Sequence, residues 1–140
     1  MLRLSHQSYL EIIGHLYDGL PDEACGLLGG RAGVGPVPDG RADIFYPCAN
    51  TAASSRVYTV DGRDHLRADR DAEDRGLELI GVVHSHTHTE AYPSPTDVAQ
   101  APDPGWHYVI VSLKREAPVL RSYRIVDGAI AEEPVGLEDR

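Results

Sequence analysis

The stretch between residues 84 and 97 carries the side chains best suited to chemistry. It reads HSHTHTEAYPSPTD and places three of the chain's seven histidines within five positions. His84 and His86 are two apart at the end of an apolar, β-branched segment, residues 77–86, which predicts a strand. Residues two apart on a strand point to the same face. Both imidazoles can therefore bind one metal ion such as zinc.

A serine and an aspartate follow at helical spacing. Ser94 and Asp97 are three apart in a segment, 94–101, that predicts a helix start with Pro95 just inside it. A helix that begins soon after a strand can fold its first turn over the strand end, so Asp97 is a candidate third ligand. Three protein ligands leave a fourth position for water, which is typical of a catalytic rather than a structural zinc site.

A zinc site of this kind also needs a general base. Zinc lowers the pKa of its water toward about 7, and a base must still take the proton and deliver it to the leaving amine. The candidates are Glu90, Glu78, Glu11 and Glu23. Glu23 directly precedes the apolar segment ACGLLGG, whose strand end can face a metal on a neighbouring strand. An exposed turn glutamate after Pro21 is the alternative for that residue.

Other ligand patterns overlap the same stretch. His84, His86 and Glu90 fit the His-x-His-x3-Glu spacing of double-sheet jelly rolls. Those folds are nearly all β, and the helical segments 5–19 and 61–76 argue against one.

Three further interpretations stay open on the residues alone. His-x-His-x-His also occurs in metallo-hydrolases that continue with Asp-His, where this chain has Thr89-Glu90. Cys25 could be a nucleophile, although a cysteine in an apolar strand is usually a small buried hydrophobe. A polar loop that binds no metal is the simplest alternative.

Two helices are predicted to flank the site-bearing strands. The first runs from an N-cap at Ser5 to about Gly19, and its apolar residues have the three-and-four spacing of one buried face: Leu10, Ile13, Leu16, Tyr17 and Leu20. The second, residues 61–76, is heavily charged, and we expect Leu66 to be its main core anchor.

The remaining periodic segments predict strands. They are a short edge strand at 1–4, strands at 24–30, 42–50 (ending at Pro47) and 107–113, and a hairpin over 119–135 that turns at Asp127-Gly128. Residues 50–60 predict an irregular segment with a short extended piece at 57–60. The Gly- and Pro-rich stretch 31–40 predicts a loop. Together these elements predict an α/β (α+β) fold in one domain over residues 1–135, with a loose tail at 136–140.

Composition limits the classes of partner. The 140 residues suit one domain, and the net charge of -9 gives an acidic surface that repels phosphate backbones, so no nucleic acid is expected. No stretch approaches the roughly 20 apolar residues of a membrane span. The first residues lack the pattern of a secretory signal. We therefore expect a cytoplasmic protein whose Cys25 and Cys48 are reduced thiols.

Taken together, these residues resemble the JAMM (MPN+) metalloprotease family. His84-x-His86, seven residues, Ser94, two residues and Asp97 match its signature, and Glu23 in PDEACGLLGG matches its upstream glutamate. The resemblance extends from about residue 22 to 135, through HYVIVSL and LRSYRIVDGAIAEEPV. It is strongest to the compact bacterial branch of the family.

The resemblance implies a fold, a cofactor and residue roles. The expected fold is a cytidine-deaminase-like curved mixed β-sheet flanked by helices, with one Zn²⁺ per chain. His84, His86 and Asp97 would bind the zinc, and Glu23 would be the general acid/base. Ser94 would donate a hydrogen bond to the oxyanion of the tetrahedral intermediate.

The resemblance also implies a partner, a ubiquitin-like sulfur carrier protein with a C-terminal Gly-Gly. The expected reaction releases cysteine from the carrier, as in cysteine biosynthesis. A processing peptidase that exposes the diglycine of a precursor and a non-catalytic MPN module are the alternatives. Ubiquitin is not expected, because the chain has little room for the insertions that bind it. A homodimer is left open.

Three further residues are candidates for substrate binding. Arg56 and Tyr58 lie in SSRVYTVD, a segment that could line the cleft, and Arg56 could hold a terminal carboxylate as a bidentate pair. His88 lies outside the family signature, so a solvent-exposed loop histidine is its alternative.

Overall fold

A computed structural model describes residues 1–35 and 39–138. In these residues an eight-stranded mixed sheet has the strand order β7-β6-β5-β4-β2-β3-β1-β8. The elements in chain order are β1 Leu2–Ser5, α1 His6–Asp18, β2 Cys25–Ala32, β3 Gly40–Cys48, α2 Gly62–Asp74, β4 Glu78–His86, α3 Pro95–Ala99, β5 His107–Ser112, β6 Val119–Val126, β7 Ala129–Glu133 and β8 Val135–Glu138. The predicted mixed α+β architecture is confirmed.

The centre of the sheet brings distant parts of the chain to one edge. β4 pairs antiparallel with β2, with Cys25 opposite His84, and parallel with β5, with His86 opposite Ser112. The start of β2 and the end of β4 therefore lie side by side. A parallel pair needs a crossover connection, and the segment that joins β4 to β5 contains α3. This connection brings α3 back to the end of β4.

Helices cover both faces of the sheet. On one face, Ile12 and Leu16 of α1 join a buried cluster with Leu28 and Val83. On the other face, Ala68 of α2 belongs to a second buried cluster, whose sheet members include Leu27, Val82, Tyr108 and Ile110. Alternation along β4 places His84 and His86 on the same face as Val82, the face that α2 covers.

The structure corrects the predicted buried face of α1. Ser5 is the N-cap, as predicted, and its side chain accepts a hydrogen bond from the Ser8 backbone. The buried residues are Ser8, Ile12 and Leu16. Of the predicted core residues, Leu16 is buried and Ile13 packs against the core half-buried, while Leu10, Tyr17 and Leu20 are exposed. The helix starts directly from β1, so strand pairing sets its orientation and decides which of two overlapping apolar stripes meets the sheet.

The anchor of α2 also differs from the prediction. Leu66 is 50% exposed, and the buried residues are Ala68 and Ala72, which are one turn apart. Two alanines let the helix backbone approach the sheet closely. The Tyr46 hydroxyl of β3 donates a hydrogen bond of 2.6 Å to Asp71 on the same helix. Asp64 of the helix also accepts a hydrogen bond from the Ala49 N–H at 2.8 Å. Short side chains and polar contacts, rather than a long apolar anchor, attach this charged helix.

The C-terminal segment is a strand where a loose tail was predicted. Val135–Glu138 forms β8 and pairs in parallel with β1, with Leu4 opposite Leu137. β8 pairs with the side of β1 that does not face β3, and so becomes the edge strand of the sheet. Residues 139–140 of the predicted tail, and residues 36–38 of the predicted loop 31–40, lie outside the described residues.

β3 continues through Pro47 to Cys48, one residue further than predicted. β1 pairs with β3 only at residues 40–42. No strand pairs with this edge of β3 at Pro47 in the described chain. A proline without an N–H is tolerated at such an edge position.

A buried polar network lies at the opposite end of β5 from His86. Glu133 Oε2 accepts hydrogen bonds from His107 Nδ1 at 2.6 Å and from Ser122 Oγ at 2.7 Å. The Met1 ammonium lies 2.9 Å from Glu133 Oε1. Burial alone would raise the pKa of Glu133, but these hydrogen bonds outweigh it and lower the pKa to about 2. The carboxylate is therefore ionised and joins β5, β6 and β7.

None of the described helices is long and apolar enough to span a membrane.

Candidate metal centre and catalytic cleft

Three side chains converge where β4 ends and α3 begins. His84 Nε2 lies 3.3 Å from Asp97 Oδ2, and His86 Nε2 lies 3.0 Å from the same oxygen. One ligand atom from each of the three residues lies within 4.8 Å of the others. The structure thus brings together the three residues that the sequence predicted as ligands, His84, His86 and Asp97, which we call the metal group.

The aspartate is held by the start of its own helix. Ser94 Oγ accepts a hydrogen bond from the Asp97 backbone N–H at 3.0 Å, and Asp97 Oδ2 accepts one from the Ser94 N–H at 2.9 Å. This is a reciprocal capping box with Pro95 at the first helical position. The local sequence therefore directs the carboxylate toward the strand end.

The two imidazoles are oriented by different contacts. His86 Nδ1 donates a hydrogen bond of 2.8 Å to the Glu90 carbonyl oxygen, which leaves Nε2 directed at Asp97. Metal-binding histidines commonly donate their second nitrogen to a carbonyl in this way. The Tyr58 ring stacks on His84, with ring centroids 4.1 Å apart and planes 21° from parallel.

These residues fit a bound divalent metal. His84 Nε2 is buried and, at its angle to Asp97, has no hydrogen-bond partner among the described residues. A tetrahedral zinc with bonds of about 2.0–2.1 Å separates its ligand atoms by about 3.3 Å, which matches the nitrogen–oxygen distances. A cation at this point would satisfy the buried nitrogen and the carboxylate together.

The pKa shifts of His84 and Asp97 favour the protonation states that bind a metal, and the shift of His86 acts in the opposite direction. Burial lowers the pKa of His84 and favours the neutral imidazole. Burial alone would raise the pKa of Asp97, but the neighbouring His84, the hydrogen bond from His86 and the hydrogen bond from the Ser94 backbone outweigh it and hold the pKa below its ordinary range. Hydrogen bonding to Asp97 and to the Glu90 carbonyl outweighs burial at His86 and raises its pKa.

Glu23 is buried directly before β2. The residue is only 5% exposed, and its Oε1 has no hydrogen-bond partner among the described residues. Its backbone N–H donates to the Ser54 carbonyl at 2.8 Å, and Asn50 Nδ2 donates to its carbonyl at 2.9 Å. Burial raises the pKa of Glu23 to about 7, with the His86 charge acting in the opposite direction. A carboxyl with this pKa can both accept and return a proton near neutral pH.

A cleft of about 470 Å³ connects these groups. It contains the base candidate, one histidine of the metal group, the helix-capping serine and two of the predicted substrate-binding residues. Its lining consists of Glu23, Ser55, Arg56, His86, Thr87, His88, Thr89 and Ser94. His88 is exposed and lies outside the metal group, while Tyr58 lines a neighbouring apolar groove of about 550 Å³ with Trp106 and Tyr108.

The other candidate bases are engaged or distant. The Glu90 carboxylate is exposed and pairs with Arg115 at 2.8 Å. Glu78 begins β4, at the opposite end of the strand from His86, and Glu11 is exposed on α1, where it accepts a hydrogen bond from Gln7.

Cys25 has the properties of a structural residue. It is fully buried, and burial is the main cause that raises the pKa of its thiol to about 12. A thiol with that pKa is not a nucleophile near neutral pH. Both Cys25 and Cys48 are free.

Two positioning residues were missed from the sequence. Ser85 Oγ accepts a hydrogen bond from the Ala24 N–H at 2.9 Å and so fixes the residue after Glu23 against β4. Asn50 joins the Glu23 carbonyl to the segment that carries Arg56. From the sequence, Ser85 is recognisable only as the residue between two candidate ligand histidines, and Asn50 only as a turn former. Neither signal specifies a partner distant in sequence.

The fold and this site define the class of protein. Residues 5–126 match the family model described as prokaryotic homologs of the JAB domain, and the chain belongs to this family, the compact bacterial branch of the JAMM/MPN proteins. It is 42% identical over 130 residues to the CysO-cysteine peptidase of Mycobacterium tuberculosis, covering 92% of this chain and 86% of that protein. It is 31% identical over 116 residues to the desampylase of Haloferax volcanii, covering 79% and 80%.

Solved structures show the same architecture. Protein DSY2949 of Desulfitobacterium hafniense superposes with a TM-score of 0.89 at 35% identity, covering 100% of this chain and 94% of that one. A protein of Salinibacter ruber superposes with a TM-score of 0.73 at 29% identity, covering 98% and 92%. The predicted JAMM/MPN-like fold is confirmed.

Proposed function

We propose that this protein is a zinc metallopeptidase that hydrolyses the bond after the C-terminal Gly-Gly of a ubiquitin-like sulfur carrier and releases cysteine. The observation that carries the proposal is that Glu23, Ser94 and His86 line one cleft, and that His86 also belongs to the group it forms with His84 and Asp97. The 42% identity to a CysO-cysteine peptidase supports the substrate class. Free buried thiols at Cys25 and Cys48 suit a reducing cytoplasm.

His84, His86 and Asp97 would hold the zinc, which acts as a Lewis acid and supplies a water of lowered pKa. Two nitrogens and one carboxylate oxygen are ligands that zinc accepts, and they leave a coordination position open.

Glu23 moves the proton. In its ionised form it takes a proton from the attacking water, whose oxygen bonds to the carbonyl carbon of the terminal glycine. Glu23 then delivers that proton to the cysteine nitrogen as the C–N bond breaks. The products are the carrier ending in Gly-Gly and free cysteine. Its pKa of about 7 suits both steps.

Ser94 stabilises the oxygen that gains charge. Its Oγ accepts a hydrogen bond from the Asp97 N–H, so the hydroxyl hydrogen remains to be donated into the cleft. A hydrogen bond to the carbonyl oxygen of the scissile bond strengthens as negative charge develops there. The capping box thus holds the donor in place before the substrate arrives.

A cleft of this size suits a diglycine end. Glycine has no side chain, so an extended Gly-Gly can bring its backbone close to the metal group. The carrier fold is expected to contribute binding as well, because a few terminal residues offer little surface.

Purified protein loaded with Zn²⁺ is incubated with a carrier–cysteine adduct, and the mass of the carrier is measured. Loss of one cysteine residue is expected. A short peptide with the same Gly-Gly-Cys end should react much more slowly. Equal rates on both, or a preference for ubiquitin chains, would show that the partner is wrong.

Cleavage of carrier–protein conjugates is the alternative that a specific observation favours. The chain is also similar to the desampylase, and it is 34% identical over 94 residues to a probable TtuB-protein conjugate cleaving protease of Thermus thermophilus, covering 65% of this chain and 57% of that protein. A lysine-linked conjugate and an extended carrier precursor, which tests the processing-peptidase alternative, belong in the same assay. Inactivity on every substrate would favour a non-catalytic module.

A further inference from the structure

Arg56 lies in the catalytic cleft without a role in the metal group. It is exposed and lines the cleft together with Glu23 and Ser94. No ion pair among residues 1–35 and 39–138 involves its guanidinium. It is the only lysine or arginine among the residues that line the cleft. A charge that no protein carboxylate neutralises is available to a ligand.

The backbone around Arg56 is fixed to the catalytic elements. The Ser54 carbonyl accepts the Glu23 N–H at 2.8 Å, and the Ser55 carbonyl accepts the Thr87 hydroxyl at 3.0 Å. The Arg56 N–H donates to Ser54 Oγ at 3.0 Å. The residues directly before Arg56 are therefore attached both to the base and to the residue after His86.

Asn50 closes the other side of this segment. Its Nδ2 donates to the Glu23 carbonyl at 2.9 Å and to the Val57 carbonyl at 3.1 Å, and its Oδ1 accepts the N–H groups of Ala52 and Thr59. One side chain thus holds both ends of the loop against Glu23, the residue that carries the base and lies directly before β2. The position of Arg56 relative to Glu23 is set by these bonds and not by a free loop.

The chemistry of the leaving group explains why a cation is needed there. The released amine must lie within hydrogen-bond reach of Glu23, which protonates it. In an α-amino acid the carboxylate oxygens lie only about 3–4 Å from that amine. Next to the ionised Glu23, an unpaired second carboxylate would be repelled. A planar guanidinium offers two parallel N–H donors that match a carboxylate.

We propose that Arg56 binds the α-carboxylate of the released residue and so selects substrates in which a single amino acid follows Gly-Gly. This inference rests on the proposed function. A lysine in a protein conjugate is attached through its side chain and has no free carboxylate at this point, and a longer precursor has an amide there. Arg56 therefore favours hydrolysis that releases a single amino acid over hydrolysis that removes a conjugated protein.

The test compares two carriers that differ in one group. One ends in Gly-Gly-Cys with a free carboxylate, and the other ends in Gly-Gly-Cys-amide. With the wild-type, zinc-loaded protein, kcat/KM should be about ten- to hundredfold higher for the free acid, the effect of a charge-assisted hydrogen bond. In Arg56→Ala the ratio should fall to near one, and in Arg56→Lys it should be intermediate.

Arg63→Ala is the matched control, because Arg63 is an exposed arginine on α2 outside the cleft lining. It should keep the wild-type ratio. Titration of Glu23→Gln protein with the two carriers gives a second readout, in which the free acid should bind more tightly and Arg56→Ala in that background should abolish the difference. Zinc content and the thermal unfolding temperature check that each variant is folded.

The outcomes separate the two proposals. Failure to cleave either carrier contradicts the proposed function. Cleavage of both carriers at equal rates by the wild-type protein, or an unchanged ratio in Arg56→Ala, leaves the peptidase intact and overturns the role of Arg56.

Discussion

Asp97 and Ser94 hold each other in place, through Asp97 Oδ2 to the Ser94 N–H at 2.9 Å and Ser94 Oγ to the Asp97 N–H at 3.0 Å. One helix cap therefore positions a candidate metal ligand and a candidate oxyanion donor together. A single substitution at this cap should therefore change both kcat and the free energy of unfolding, and the two changes can be measured independently.

Ser94→Ala should lower kcat by about 10²–10³, because the oxyanion donor is lost. It should also cost about 1 kcal/mol of unfolding free energy through the lost cap. Steady-state kinetics and urea unfolding measure the two effects. Ser94→Thr, which keeps the hydroxyl, should lose much less of both. If Ser94→Ala kept the wild-type kcat, the serine would act only as a helix cap and not as an oxyanion donor.

One zinc per chain should be found by elemental analysis of protein purified without added metal. The double variant His84→Ala, His86→Ala should contain none, because only Asp97 of the ligand group remains. His88→Ala is the matched control, since His88 is exposed and outside that group, and it should keep its zinc. Full zinc retention by the double variant would rule out the site.

Glu23→Gln should keep its zinc and lose turnover by about 10²–10⁴, the usual contribution of a general acid/base. The amide preserves the size of the side chain but cannot accept the proton. Glu90→Gln is the control, because the Glu90 carboxylate pairs with Arg115 at the surface. If Glu23→Gln turned over at the wild-type rate, another group would have to move the proton.

The pH profile should follow the ionisation of Glu23. Burial is the main cause that raises its pKa to about 7, and only the ionised form accepts a proton, so kcat/KM should fall as the pH drops through this pKa. A bound cation opposes this upward shift of the Glu23 pKa, which places the acidic limb at or below about pH 7. Rates measured from pH 5 to 9 test this, and a rate that rises toward acid pH would contradict it.

Glu133→Gln should lower the unfolding free energy by about 2–4 kcal/mol at pH 7, because it breaks a buried charged network. The folded-state pKa is about 2, below the ordinary 4.5. The stabilisation is therefore present above about pH 4.5 and lost as the pH falls through about 2. Urea unfolding of the wild-type protein and of Glu133→Gln at pH 7 and at pH 2–3 measures the gap between their unfolding free energies, which should narrow in acid. A gap that does not depend on pH would mean that packing rather than charge is lost.

Local spacing was sufficient to predict which three side chains form the candidate metal site. Alternation along β4 puts His84 and His86 on one face, and the three-residue spacing at the start of α3 lets Ser94 and Asp97 bond to each other. Both relationships depend on backbone geometry over a few residues, which the sequence specifies directly.

Pairing between distant segments decided the rest. Glu23 lines the same cleft as His86 because β2 pairs antiparallel with β4 and places Cys25 opposite His84, a register that spacing along the chain does not reveal. The buried face of α1 and the strand β8 were likewise settled by the pairing of β1, against the sequence-based prediction. Periodicity tells which residues of one element share a face, but which face is buried depends on neighbours that only the folded chain supplies.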